Sequence, residues 1–256
     1  MVSRIPTRLV LATALAPLML GLAACKKDDT PGGETTPLAE STPLPKIAAP
    51  AGKAWADTIE TTDEGGYRLG NPNAPIKLVE YGSLSCPHCA KLAQEGFPKL
   101  KDDYVASGRV SLEFRSFAIH AEDYPLTILA SCGPKETFLP LVEQVYTNFE
   151  SLFSAMYTDQ VQAEVQKAKV LPENQRFVEM ARVEGMTAFF AQRGLSADQA
   201  NACLADPARA AVVSKHAEDY SKVGIDATPT LFINGAKVPS GEWTELDAAL
   251  QRAGAR

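Results

Sequence analysis

Two cysteines separated by two residues, Cys86 and Cys89, could do chemistry as a pair. They follow a strand-like run at 76–81 and a short turn, and they open a helix-like run. At a helix N-terminus, unpaired N–H groups and the positive end of the helix dipole favour the thiolate of Cys86, and a thiolate is the nucleophile in disulfide exchange. Cys89 lies one turn later, where it could resolve a mixed disulfide. Pro87 costs no hydrogen bond at the first helical position, and His88 adds a donor or a partial positive charge beside the sulfur.

Two other uses of a C-x-x-C pair need residues that this sequence lacks. A zinc site needs a second close pair, but the remaining cysteines, Cys25, Cys132 and Cys203, are far apart in the chain. Attachment of a c-type haem needs a histidine directly after the second cysteine, and Ala90 stands there. A C-x-x-C pair between a strand and a helix is instead the redox arrangement of the thioredoxin fold, so we expect neither a metal nor a cofactor.

A second motif, far along the chain, makes a family resemblance more specific. Thr228-Pro229 is followed by a strand-like run at 230–233 and by Asn234-Gly235, which is typical of a hairpin turn. Together with the cysteine motif, this pattern resembles the DsbA-like thiol–disulfide oxidoreductases over about residues 67–253. The resemblance implies an α/β structure, a thioredoxin-like fold with a central mixed sheet and an inserted all-helical domain.

The resemblance also assigns roles to residues outside the cysteine pair. Glu80 stands where the family has an acidic residue that is buried near the resolving cysteine and helps to move its proton. Burial raises the pKa of a carboxyl group, and a raised pKa suits a proton acceptor near neutral pH. An exposed strand glutamate is the alternative. Thr228-Pro229 resembles the family's cis-proline loop, which lies beside the active cysteines and pairs with an extended substrate segment. Threonine before this proline is more familiar in disulfide isomerases and reductases than in the best-known oxidase, which leaves the direction of catalysis open.

The N-terminal residues do not read as part of the folded domain. Residues 1–24 have a basic start and an apolar run that is too short and too broken to span a membrane, which indicates a signal peptide. The run ends in Leu22-Ala23-Ala24-Cys25, which resembles the lipobox of bacterial lipoproteins, whose cysteine becomes the lipidated N-terminus. An ordinary cleaved signal with a chance cysteine is the alternative. Lys26 after this cysteine favours the outer membrane, and residues 25–66, rich in Pro, Thr, Ala, Gly and charge, are predicted to be a disordered tether.

The rest of the chain divides into three segments. Residues 67–119 contain the active-site strand and a second strand with clean alternation, which predicts the first part of a thioredoxin-like domain. Residues 120–222 are helix-like throughout, and residues 223–256 resume the thioredoxin pattern and end in a packing helix. Within the helical insertion, Cys132 and Cys203 are left to each other once the active pair and a lipidated cysteine are set aside, so a structural disulfide is expected in an oxidising compartment, with a second redox pair as the alternative.

These observations predict a lipid-anchored periplasmic enzyme that forms disulfides in exported cysteine-containing proteins. A membrane redox partner, DsbB-like or a reductase, is expected, and the protein is expected to be a monomer that meets the membrane only through its lipid. The net charge of −6 argues against nucleic acid as a partner. The alternatives are a disulfide isomerase or reductase, or a non-catalytic chaperone-like or metal-handling lipoprotein on the same fold.

Overall fold

The central sheet carries the active-site strand in its interior. The computed structural model describes residues 41–256, so the predicted signal peptide and Cys25 lie outside the described residues. Within this described part of the chain, six strands pair in the order β1-β2-β4-β3-β5-β6, and β3 and β4 are the one parallel pair. The strands are β1 (Ile59–Thr61), β2 (Tyr67–Gly70), β3 (Ile76–Gly82), β4 (Val110–Ser116), β5 (Thr230–Ile233) and β6 (Ala236–Lys237). This mixed sheet confirms the predicted fold class.

Strand β3 lies between β4 and β5, and its apolar residues explain that place. Leu78 pairs with Leu112 on one side and with Ile233 on the other, and all three are buried. A central strand needs such apolar residues where its side chains pack against the layers on its two faces. The strand ends at Gly82, and a short turn leads from it into the cysteine motif.

Helix α1 (Pro87–Lys99) crosses from β3 to β4 and continues as a π-helical segment, Leu100–Val105. Pro98 lies near its end and removes one backbone donor, and the helix changes to the wider π geometry shortly after it. Gly96 faces the indole of Trp243, which begins α10 (Trp243–Leu250). A Cβ at position 96 would lie 2.1 Å from Trp243 Cε3, so a residue without a side chain is needed where the two helices meet.

The insertion between β4 and β5 consists of eight helices that share the core of the sheet. Tyr67 of β2 stacks on Phe138 with ring centroids 3.7 Å apart, and Phe114 of β4 lies against Tyr146. The insertion is thus packed onto the sheet rather than tethered to it. The helices are α2 (Asp123–Ala130), α3 (Lys135–Thr147), α4 (Phe149–Met156), α5 (Asp159–Ala168), α6 (Glu173–Val183), α7 (Met186–Ala191), α8 (Ala197–Leu204) and α9 (Pro207–Lys222).

The predicted tether needs a correction, because residues 41–66 are docked on the domain. The Ser41 and Leu44 N–H groups donate to the carbonyls of Arg252 and Gly254, at 2.8 and 2.9 Å. Further on, a short 3₁₀ helix at Trp55–Asp57 leads into β1, the edge strand of the sheet. The first part of the segment is held by backbone hydrogen bonds, which leave no pattern in the side chains of the sequence.

No helix within residues 41–256 is long and apolar enough to cross a membrane.

Candidate active site

The two cysteines of the motif occupy different positions at the start of α1. Cys86 is the N-cap residue, with extended backbone, and Pro87 is the first helical residue. The Cys86 N–H donates to the Ser83 carbonyl at 3.2 Å, and its own carbonyl accepts from the Ala90 N–H at 3.1 Å. Both sulfurs are thiols in this structure; Cys86 is 5% exposed and Cys89 is completely buried. Only Cys86 therefore borders the surface.

The Cys86 thiolate is stabilised by donors on two elements. Its pKa is lowered from 9.0 to about 5, first by a hydrogen bond with the Cys89 side chain, then by the Thr228 hydroxyl and by the N–H groups of Cys89 and His88, while burial opposes the shift. The two N–H groups are unpaired donors of the first helical turn, the place where anions are favoured. At neutral pH, Cys86 is therefore a thiolate.

The pKa of Cys89 shifts in the opposite direction. Burial raises its pKa well above 9.0, and the hydrogen bond to Cys86 and the charges of Glu80 and Cys86 add to the rise. A proton shared by two sulfurs thus stays on Cys89 and leaves the charge on Cys86. The pair is polarised in the direction that exchange through Cys86 requires.

Glu80 points from β3 into a cavity beneath α1. Burial and the neighbouring charge of Cys86 raise its pKa to about 8. The other walls of this cavity come from α1, β4, α3 and α10 and include Leu92, Phe114 and Tyr146. A largely protonated carboxyl thus lies close enough to Cys89 to affect its titration.

The Thr228–Pro229 loop lies directly against Cys86, and its peptide bond is cis. The Cys86 thiol donates to the Thr228 carbonyl at 3.3 Å. The Thr228 hydroxyl is buried and has no partner within residues 41–256 while Cys86 is a thiol, so it is free to donate to the thiolate. On the far side, a Cβ at Gly241 would lie 2.6 Å from Pro229 Cγ, which shows how closely the next loop supports the proline ring.

His88 contributes differently from what the sequence predicted. Pro87 and His88 are both exposed, and the imidazole of His88 makes no hydrogen bond within the described residues. Its effect on the Cys86 pKa comes through its backbone N–H. The imidazole therefore donates no hydrogen bond to the sulfur in this structure, and the alternative of a partial positive charge beside the sulfur stays a prediction.

The other two predicted site cysteines are joined. Cys132, after α2, and Cys203, in α8, form a disulfide with Cα atoms 5.9 Å apart. The bond ties two parts of the helical insertion that are 71 residues apart in the chain. His216 lies apart from the cysteines and packs between Gly65 and Tyr220.

A polar cluster beneath the motif was not found from the sequence. Asp123 is completely buried and accepts hydrogen bonds from Ser83 and Ser85, and His120 Nδ1 lies 2.8 Å from Ser85 Oγ. The set is not a hydrolytic triad, because Ser85 and Asp123 approach the same imidazole nitrogen, Nδ1, and a triad needs opposite ones. The only sequence signal was an acidic residue in the first turn of α2, which is common at helix starts.

Comparison with known proteins agrees with this geometry. The family described as Thioredoxin matches residues 62–252. A protein of Rickettsia bellii named "Putative protein-disulfide oxidoreductase" is 24% identical over 75% of this chain, and the chain spans only 65% of that relative's length. A Bacillus cereus protein named "Probable disulfide bond formation protein D" is 24% identical over 65% of this chain and 69% of its own.

Two crystal structures show the same fold. The protein-disulfide isomerase from Novosphingobium aromaticivorans superimposes with a TM-score of 0.67 at 23% identity, over 73% of this chain and 96% of that one. The alpha-DsbA1 protein of Wolbachia pipientis gives a TM-score of 0.60 at 22% identity, over 76% and 94%. With a family match over residues 62–252, a thioredoxin-like sheet and a C-x-x-C pair at the start of α1, this chain belongs to the thioredoxin family.

Proposed function

We propose that this chain is a thiol–disulfide oxidoreductase that forms disulfides in exported proteins through Cys86 and Cys89. The observation that carries this proposal is the opposite shift of the two thiols, with the Cys86 pKa at about 5 and that of Cys89 raised. A stabilised thiolate makes the reduced pair favourable, so the oxidised pair is a strong oxidant of other thiols. The same thiolate is a good leaving group when a product is released.

The reaction proceeds in two exchanges. A substrate thiolate attacks Cys86 Sγ of the oxidised pair, a bond forms between these sulfurs, and the Cys86–Cys89 bond breaks with its electron pair on Cys89. A second thiolate of the substrate then attacks the substrate sulfur of the mixed disulfide and expels Cys86 as a thiolate. The substrate loses two electrons, which the cysteine pair gains, and an oxidised disulfide or quinone partner must remove them.

Glu80 suits the proton step of the first exchange. The leaving Cys89 sulfur lies in an apolar surrounding where a thiolate is unfavourable, so it needs a proton at once. A carboxyl with a pKa of about 8 holds that proton near neutral pH and can give it up. In the reverse direction, Glu80 accepts the proton that Cys89 must lose before it attacks Cys86.

The Thr228 loop suits the docking of an extended peptide. Thr228 is next to the reacting sulfur, and its carbonyl and hydroxyl both face Cys86. A peptide that paired with this loop would bring its own sulfur into line with Cys86. Isomerase or reductase activity is the second direction that the same site allows, and the low Cys86 pKa favours oxidation.

We also propose that the protein acts in the periplasm, held to the outer membrane by a lipid on Cys25. The apolar run ending in Leu22-Ala23-Ala24-Cys25 supports this, and so does the Cys132–Cys203 bond, since disulfides persist outside the cytosol. Mass analysis of membrane-extracted protein should find a lipidated N-terminal cysteine. A soluble product cut at another position would contradict the anchor.

The reduction potential of the Cys86–Cys89 pair tests the direction of catalysis. A value near roughly −120 mV supports disulfide donation, and a value near roughly −270 mV supports reduction. Cys89→Ser should accumulate covalent complexes with substrates on a non-reducing gel, while Cys86→Ser should trap little and lose turnover. If Cys86→Ser traps partners and Cys89→Ser does not, the roles are reversed. If neither traps partners and thiol oxidation is unaffected, the redox function is wrong and a binding role takes its place.

A further inference from the structure

Asp123 connects the turn before Cys86 to the start of the helical insertion. Its side chain is completely buried. The Ser83 hydroxyl lies 2.9 Å from each carboxylate oxygen, and the Ser85 N–H donates to Oδ1 at 2.9 Å. Both serines belong to the short turn that ends β3 and leads into the cysteine motif.

The second oxygen of Asp123 holds a different segment. The N–H groups of Ile119 and His120 both donate to Oδ2 at 3.0 Å. One carboxylate therefore fixes two loops that are more than 30 residues apart, one at the end of β3 and one between β4 and α2. His120 adds a contact of its own, since its Nδ1 lies 2.8 Å from Ser85 Oγ.

The turn held by Asp123 touches both active cysteines. The Ser83 carbonyl accepts the Cys86 N–H at 3.2 Å and the Tyr146 hydroxyl at 3.0 Å. Burial is the main reason why the pKa of Cys89 is raised, and the Ser83 N–H opposes that rise by donating to the Cys89 sulfur. A displacement of this turn would move the N-cap of α1 and a donor to the resolving sulfur together.

A carboxylate is the group that fits this position. Its two oxygens receive a hydroxyl and three backbone N–H donors, and an ionised carboxyl offers only acceptors. An asparagine of the same shape would turn an NH₂ group toward donors on one side, and a leucine would leave all of them unpaired. Burying a charge is costly, so its presence here indicates that the donors need it.

We propose that Asp123 is a positioning residue for the cysteine pair: through Ser83 and Ser85 it sets the place of the Cys86 and Cys89 sulfurs relative to the N-terminus of α1. This inference rests on the proposed exchange function. It assigns to Asp123, the first residue of α2, an effect on the cysteine pair that acts through the turn containing Ser83 and Ser85.

The test compares Asp123→Asn with Glu122→Gln. The control removes the same charge from the preceding residue, whose carboxylate contacts Tyr157 and not the active-site turn. Three quantities are measured: the titration of the Cys86 thiolate by ultraviolet absorbance, the equilibrium with glutathione, and the free energy of unfolding of the oxidised and the reduced protein. Loss of donors from a misplaced site should raise the Cys86 pKa, and the loss of about one net hydrogen bond corresponds to a change of about threefold to tenfold in its acid constant.

For Asp123→Asn, we expect this change in the acid constant, a shift of the glutathione equilibrium toward the oxidised protein, and a larger loss of stability in the reduced form. Glu122→Gln should change none of these by as much. If Asp123→Asn destabilises both forms equally and leaves the titration and the equilibrium unchanged, Asp123 is only structural and the proposal is wrong. If that variant does not fold, Ser83→Ala, which removes one donor to Asp123, must show a smaller change in the same direction, and an unchanged titration refutes the proposal.

The outcome for Asp123 is separate from that of the function. The titration and the glutathione equilibrium need no protein substrate. A wild-type protein that equilibrates with glutathione but never oxidises protein thiols would refute the proposed function and leave the Asp123 result intact.

Discussion

The opposite pKa shifts of Cys86 and Glu80 predict that pH affects the stability of the reduced and the oxidised protein differently. The Cys86 pKa falls from 9.0 to about 5, chiefly through the hydrogen bond with Cys89, and that of Glu80 rises from 4.5 to about 8, chiefly through burial. The stabilisation from a lowered pKa is fully present above the unfolded value and is lost as the pH falls toward 5. The stabilisation from a raised carboxyl pKa is fully present below the unfolded value and is lost as the pH rises toward 8.

The two contributions have similar size and opposite sign. Between the two folded pKa values, each pH unit changes the contribution of either group by about 1.4 kcal/mol. Over the whole interval this amounts to about 4 kcal/mol for each group, and solvent at the edge of the site lowers the value for Cys86. In the reduced protein the two nearly cancel. In the oxidised protein Cys86 does not titrate, so the loss of stability that Glu80 causes with rising pH remains. This loss is smaller than in the reduced protein, because the neighbouring thiolate is absent.

The measurement is urea unfolding of four samples: wild type and Glu80→Gln, each reduced and oxidised, at several pH values between the folded pKa values of the two groups. Groups far from the site contribute equally in both redox forms, so the reduced-minus-oxidised difference reports on Cys86 and on the effect of its charge on Glu80. This difference should rise with pH by up to about 4 kcal/mol. Reduced Glu80→Gln should gain stability with pH, and its oxidised form should no longer show the loss seen in the oxidised wild type.

Two results would refute this reasoning. A reduced-minus-oxidised difference that stays constant with pH means that Cys86 is not a thiolate in the folded protein. An oxidised Glu80→Gln protein with the same pH slope as the oxidised wild type means that Glu80 is not the buried acid.

Three further predictions concern single contacts. Thr228→Val should raise the pKa of the Cys86 thiol by at least about one unit, because a hydrogen bond to a charged group contributes about 1.5–3 kcal/mol. Thr228→Ser keeps the hydroxyl and is the control, and equal Cys86 titrations of the two variants would contradict the role of that hydroxyl. Replacing Cys132 and Cys203 by serine should lower the free energy of unfolding by about 4 kcal/mol and leave the Cys86 titration unchanged. Peptide maps of the native protein that show both cysteines as free thiols would exclude the bond. Gly96→Ala should destabilise the protein by about 1–3 kcal/mol in chemical unfolding, because the new methyl group overlaps the Trp243 indole, and an unchanged midpoint would show that the indole moves aside freely.

The active pair and the fold could be predicted because their signals are local. The Cys86 motif, the strand before it and the helix after it are contiguous, and the alternation of 110–117 is visible by itself. The order of such runs predicted the strand, helix and strand at the start of the domain and a long helix-like segment after them, and the family resemblance added the mixed sheet. Glu80 was assigned through the family resemblance, which has an acidic residue at this place in the strand.

Contacts between distant segments left no such signal. Asp123 is about 40 residues from Ser83, and in the sequence it is an ordinary acidic residue at a helix start. Residues 41–66 resembled a linker because their composition is polar and rich in proline, yet backbone groups dock their first part and a short strand completes the sheet. Composition reports side chains, and these contacts are made mainly by the main chain.

The asymmetry of the two thiols arises where the sheet and the helical insertion meet. The donors that lower the pKa of Cys86 come from α1 and the Thr228 loop, both parts of the thioredoxin-like domain. The burial that raises the pKa of Cys89 belongs to a region where α3 of the insertion packs on α1, with the Tyr146 hydroxyl donating to the Ser83 carbonyl beside it.

Different parts of the fold therefore contribute most to the pKa shifts of the two thiols. The sheet, α1 and the Thr228 loop supply the charge stabilisation that any helix N-terminus of this fold can offer, and the insertion supplies apolar cover and the Asp123 anchor. Removal of the cover would reduce the part of the Cys89 pKa shift that comes from burial, while the hydrogen bond to Cys86 and the charges of Glu80 and Cys86 would still raise that pKa. The inserted helices thus act on the redox chemistry itself, because the difference between the two thiols, rather than either pKa alone, decides which sulfur carries the charge.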